Sequence, residues 1–103
     1  MTQLETYITE HEKRFLDDLK GWLRIPSIST LPEYAGDVQR AAEYAANQLR
    51  DIGFDSVEVI RTQHHPLVYG EWLKAPGKST VLIYGHYDVQ PVDPIEQIGR
   101  AHV

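Results

Sequence analysis

The sequence predicts an α/β fold in which two helices come first and three strands of a mixed sheet follow. Three observations carry this: apolar residues spaced three and four apart in residues 4–23 and 38–52, a two-residue alternation after Gly53, and an unbroken apolar run over residues 80–84.

In the first stretch Leu4, Tyr7, Ile8, Phe15, Leu19, Trp22 and Leu23 share one helical face, and charged residues fill the other. This helix should stop before Pro26, because a proline drives the residue before it out of the helical region. Residues 24–30, RIPSIST, then form an extended connector. Ser27 and Ser29 are structural turn residues on this reading, since neither sits in the G-x-S-x-G elbow of a hydrolase nucleophile. Pro32 and Gly36 mark a loop, and Asp37 is the expected N-cap of a second helix with Val38, Ala41, Ala42, Ala45, Leu49 and Ile52 on one stripe. Gly53 closes it. Alanines on that stripe suit close packing against another element.

Beyond Gly53, Val57 and Val59 flank Glu58 in strand-like alternation, and residues 67–73 form a second run rich in aromatics. Pro76 and Gly77 place a turn at residues 75–79. The third run, TVLIY, is apolar throughout, which suits a strand covered on both faces. Residues 80–84 are thus the expected most buried strand.

Composition narrows the function. The chain has 103 residues, 42% of them hydrophobic and 24% charged, which is globular rather than disordered. At this size a chain buries about 60 to 65% of its unfolded surface, too little to enclose a large enzyme cleft. A formal charge of -5 without a basic stripe argues against a nucleic-acid surface. The absence of cysteine removes disulfides, thiolate metal sites and a cysteine nucleophile. Glu5, Glu10, Glu12, Asp17 and Asp18 interrupt the first twenty residues, unlike an export signal, and no run matches the roughly 18 apolar residues of a membrane span. A cytoplasmic chain with no membrane partner is expected.

The chemistry lies in GHYDVQP, residues 85–91, at the end of the apolar run. In extended backbone His86 and Asp88 project to the same side. A carboxylate placed there can accept the hydrogen of one ring nitrogen, fixing the tautomer of a metal-binding imidazole. Functional residues of open sheets also gather at strand ends. From the residues alone, an H-x-D pair fits both a metal site and a structural hydrogen-bonded pair.

The stretch TVLIYGHYDVQPVDP, residues 80–94, resembles the first metal-site motif of the metallopeptidase family that includes carnosine dipeptidase, carboxypeptidase G, acetylornithine deacetylase and aminoacylase. RIPSIS and HPLVYGEW are similar to the family's sequence as well, so the resemblance covers nearly everything from Leu4 to Glu96. Tyr87, Gln90 and the following VDP are most similar to the dipeptidase branch. The resemblance implies that residues 1–96 are the amino-terminal part of a mixed-sheet zinc-peptidase catalytic domain. It makes His86 a zinc ligand and Asp88 the carboxylate of the catalytic site that orients it. It further implies a parent with two zinc ions that hydrolyses dipeptides, N-acyl amino acids or related amides bearing a free carboxylate. In the family the bridging aspartate, the general-base glutamate and the remaining ligands come later in the chain, so this fragment is expected to be inactive. The alternative is a small non-enzymatic α/β binding module in which His86 and Asp88 only hydrogen-bond.

Residues 97–103 follow no pattern set by what precedes them. IGRAHV is the translation of a common sequencing-adapter string, and the adapter's preceding bases complete the Gln97 codon, so an adapter origin is the working hypothesis for 97–103. Resequencing past Glu96 tests it, and a genomic stop codon directly after Val103 would contradict it. Other candidates have structural readings. His64 and His65 point to opposite faces if extended and belong to an exposed loop before Pro66. His11 is a solvated helical residue, Phe15, Trp22, Tyr44 and Trp72 fit core packing, and Asp93 and Glu96 lie in a solvated loop.

Overall fold

The computed structural model describes residues 2–92. Helix α1 spans Gln3–Leu23 and α2 spans Ala35–Asp51, followed by strands β1, Ser56–Ile60, and β2, Leu67–Glu71. The α/β class and the order of elements are those expected. Residues 97–103, together with Asp93 and Glu96, lie outside the described residues.

A capping box starts α1. The Thr2 hydroxyl accepts from the Glu5 amide at 3.1 Å, and the Glu5 carboxylate accepts from the Thr2 amide at 3.3 Å. Two backbone donors that the first turn leaves without helical partners are thereby satisfied. At the other end the Arg24 amide still bonds the Lys20 carbonyl, and the helix stops before Pro26 as expected.

Helix α2 begins at Ala35 rather than after an Asp37 cap. The cause is Pro32, which opens a 3-10 turn over Pro32–Tyr34 that runs directly into the helix. Proline suits a first helical position, because its fixed φ is already helical and its missing N–H would lack a partner there anyway. Asp37 instead lies in the first turn, paired with Arg40, where a negative charge faces the positive end of the helix dipole. At the far end Gly53 takes φ 96°. The Gly53 amide bonds the Arg50 carbonyl at 3.0 Å and the Phe54 amide bonds the Leu49 carbonyl at 3.1 Å, the Schellman pattern that terminates helices.

The core is the small-residue face of α2. Val38, Ala41, Ala42 and Ala46 are fully buried, and α2 touches α1, the 3-10 turn and both strands. The strands form an antiparallel hairpin in which Val57 faces Gly70 and Val59 faces Val68. These four half-buried positions share one side of the hairpin, while Glu58 and Tyr69 face water. Gly70 is where the hairpin meets the end of α2: a Cβ there would stand 2.9 Å from Leu49 Cδ1 and 3.1 Å from Phe54 Cδ2. After β2, Pro76 followed by Gly77 at φ 78° makes the turn expected there, closed by the Lys78 amide on the Ala75 carbonyl at 3.1 Å.

Two packing expectations are corrected. Residues 80–84 form no strand, and Val81 and Ile83 are 79% and 87% exposed. A strand exists through its ladder, and among the described residues nothing pairs with this run. The apolar pattern is present without its neighbours. Likewise α1 leaves most of its apolar face in water rather than in the core. Among the described helices and strands it meets only α2, where the Tyr44 hydroxyl donates to the Asp18 carbonyl at 2.6 Å over the space that Gly21 leaves open. Leu4, Ile8, Leu16, Leu19 and Phe15 are accordingly exposed, as is Trp72, so Phe15 and Trp72 are not core residues here. His11 is half-buried, with its ring centroid 4.2 Å from that of Tyr7. No helix among the described residues is long and apolar enough to cross a membrane.

Two of the glycines in the α2–hairpin unit, Gly36 and Gly70, should respond to alanine in opposite directions. Gly70→Ala forces a methyl against Leu49 and Phe54 and should destabilise by about 1 to 3 kcal/mol. Gly36→Ala, in helical backbone with nothing within 4 Å of the added carbon, should stabilise by up to about 1 kcal/mol. Denaturant unfolding of both variants checks this, and a neutral Gly70→Ala would contradict the close approach.

Candidate functional site

Residues distant in sequence meet where the connector after α1 runs beside residues 85–91. Pro26 starts the arrangement: the Ser27 amide bonds the Ile25 carbonyl and the Ile28 amide bonds the Pro26 carbonyl, both at 2.8 Å, so the connector is bent as it leaves the helix. The Val89 amide then donates to the Ser27 carbonyl at 2.9 Å, and Ile28 pairs with Val89 in a parallel bridge. Buried Ser27, 4% exposed, adds a side-chain bond by donating its hydroxyl to the Tyr87 carbonyl at 2.9 Å. The structure therefore ties GHYDVQP to RIPSIS.

On this frame His86 and Asp88 stand on one side, as the two-residue spacing requires, with His86 Nδ1 3.2 Å from Asp88 Oδ1. An ionised carboxylate only accepts, so the hydrogen lies on Nδ1 and, in the neutral ring, the lone pair lies on Nε2. The His86 side chain is 73% exposed, with the Tyr84 ring 5.6 Å away. The second oxygen of Asp88 accepts from the Ser29 hydroxyl at 2.6 Å. That hydroxyl, more than the imidazole, holds the Asp88 carboxyl below its ordinary range, and partial burial opposes both.

Tyr87 points the other way and donates its hydroxyl to the Pro66 carbonyl. Burial, with a smaller contribution from the Asp88 charge, pushes the Tyr87 phenol above its ordinary value. This contact docks the segment before β2 against the site. His65 extends the docking, because its Nε2 donates to the Ser29 carbonyl at 2.7 Å. His64 is exposed as expected, but His65 is a half-buried structural donor rather than a loop residue in water. Ser29, His64, His65, Tyr84, His86 and Asp88 line one hollow.

Both expected site residues are thus brought together. Ser27, Ser29 and His65 were missed as parts of the site. Their one sequence signal was matched spacing: two serines two apart in the connector, set against His86 and Asp88 two apart in the other segment. Among the described residues no group of three or more His, Cys, Asp or Glu side chains could hold a metal ion. His86 is one potential ligand with its carboxylate partner.

No protein-family model matches the chain. Individual relatives do. The chain is 31% identical over 96 residues to the Cys-Gly metallodipeptidase DUG1 of Candida albicans, covering 82% of this chain and 20% of that protein. It is 32% identical over 103 residues to the Beta-Ala-His dipeptidase of Rattus norvegicus, covering 88% and 21%. The solved structure of the di-peptidase Dug1p from Saccharomyces cerevisiae superposes with a TM-score of 0.76 at 28% identity, over 87% of this chain and 21% of that one. The chain spans about a fifth of the length of the curated relatives it matches.

Ser27→Ala should loosen the seam locally. Losing a buried hydroxyl that satisfies a carbonyl costs about 1 to 3 kcal/mol, and the Val89 amide should exchange its hydrogen faster while the Ala42 amide in α2 stays protected. Unchanged exchange at Val89 would show that the hydroxyl does not hold the loop.

Proposed function

The chain is homologous to metallodipeptidases over about a fifth of their length, and on that premise we propose that it carries one metal ligand, His86, and its orienting carboxylate, Asp88, of a zinc-dependent dipeptidase. The observation that supports this is the arrangement of the imidazole. Nδ1 is held by Asp88 at 3.2 Å, which leaves Nε2, among the described residues, as the ring nitrogen open to a metal on an exposed side chain. Zinc is bound by neutral imidazole nitrogen, and a carboxylate on the opposite nitrogen fixes the tautomer and raises the ligand's basicity. The residues present therefore fit the first contact to a metal ion.

Bound zinc, as a pair of ions in the reading that the motif supports, would activate a water toward neutral pH and polarise the carbonyl to be cleaved. The described residues contribute upstream of that chemistry. Asp88 holds the imidazole, the connector holds Asp88, and the Ser27 and Val89 contacts keep both residues at the end of residues 80–84. A catalytic zinc has about three protein ligands and an open position, so the other ligands and the general base belong to the part of the protein that this chain does not span. The substrate class in this proposal is a small peptide, or an N-acyl amino acid, with a free carboxylate. Homology to dipeptidases favours the enzyme over a binding module in which the pair is only structural.

Zinc stoichiometry and dipeptide hydrolysis, measured on the full-length protein, test the assignment. His86→Ala should lose one zinc and nearly all turnover. Asp88→Asn should keep the shape while costing about 10 to 100-fold in affinity or activity. Unchanged stoichiometry and turnover in His86→Ala would remove the ligand assignment. Residues 1–103 alone should bind zinc weakly and cleave no dipeptide, and zinc-dependent turnover by them would contradict the proposed division of the site.

A further inference from the structure

Asp88 is held through both oxygens, and the two partners come from opposite ends of the chain. Oδ1 faces His86 Nδ1 at 3.2 Å, two residues away, while Oδ2 accepts from Ser29 Oγ at 2.6 Å, 59 residues away. A carboxylate gripped by one oxygen turns easily, because its terminal torsion is broad rather than confined to narrow wells. The second contact stops that rotation. With the Asp88 side chain 37% exposed, water would otherwise compete for the second oxygen.

Ser29 is itself fixed from two directions. The residue before it, Ile28, is paired with Val89, and its own carbonyl accepts from His65 Nε2 at 2.7 Å. The hydroxyl is therefore delivered by a pinned backbone rather than by a free loop. It is not placed as a nucleophile. In a serine hydrolase the imidazole stands between hydroxyl and carboxylate and takes the hydroxyl proton, whereas here the carboxylate stands between hydroxyl and imidazole.

We propose that Ser29 is a positioning residue of the metal centre, locking the Asp88 carboxylate so that Oδ1 stays on His86 Nδ1–H and Nε2 stays aimed at the metal. This rests on His86 being a ligand. It adds that the connector after α1, which supplies no ligand, sets the strength of the site. His65 supports the arrangement by fixing the Ser29 backbone.

The test is zinc affinity of the full-length protein, measured by competition with a chromophoric chelator, in Ser29→Thr, Ser29→Val and His86→Ala. Threonine and valine have the same shape and differ in the hydroxyl, so their difference reports the hydrogen bond. Thr should bind zinc like the unsubstituted protein, and Val should bind about tenfold more weakly, the lower end of what losing a ligand's outer support costs. The melting temperatures of the two metal-free variants should differ much less than their affinities. Ser29→Ala gives the same reading without a branched side chain if valine impairs folding. Equal affinity in Thr and Val, with zinc lost in His86→Ala, would overturn the role of Ser29 and leave His86 as a ligand. Full zinc binding by His86→Ala would overturn both.

Discussion

Where the connector after α1 lies beside residues 85–91, the Val89 amide bonds the Ser27 carbonyl, and two serine hydroxyls reach the Tyr87 carbonyl and the Asp88 carboxylate. These bonds join segments about sixty residues apart. Without them the second segment would hang from a turn at Gly77 with little else to place it. Apolar burial does not do that work here, because residues 81–84 and His86 are largely exposed. Hydrogen bonds made by a buried serine and a half-buried carboxylate give direction as well as energy, each being worth about 0.5 to 1.5 kcal/mol net, and more where a charge takes part.

The rest of the fold serves this seam. Helix α2 is the hub, and the hairpin lies close enough to its end that a Cβ at Gly70 would crowd Leu49 and Phe54. The loop between β1 and β2 carries His65 and Pro66, and these contact Ser29 and Tyr87. Packing thereby sets the position of the imidazole's support from below, and hydrogen bonds set its orientation from the side. What the described residues leave open is the apolar run 80–84 and the outer face of α1. Both are apolar surfaces that no other described element covers.

The helices were legible because their information is local. Seven apolar positions in α1, the proline after it and the glycine after α2 are read directly from spacing and backbone preference. Asp37 misled because a cap residue is preferred only where the chain enters from extended backbone, and Pro32 made the entry helical already. The run 80–84 misled for a different reason: two-sided burial needs partners, and pattern records the demand for them rather than their presence. At the site, H-x-D was visible because its geometry spans two residues. Ser29 and His65 were not, since hydrogen bonds over 59 and 36 residues leave no local pattern.

The central claim is that residues 24–29 and 85–91 together present one oriented imidazole to a metal. A crystal structure of the full-length protein grown with zinc, with data collected on both sides of the zinc absorption edge, tests it most directly. The account predicts an anomalous peak at bonding distance, about 2.0 to 2.1 Å, from His86 Nε2, with Asp88 still on Nδ1 and Ser29 on the far carboxylate oxygen. A zinc peak elsewhere in the protein, with His86 Nε2 turned to water or to a backbone carbonyl, would contradict it.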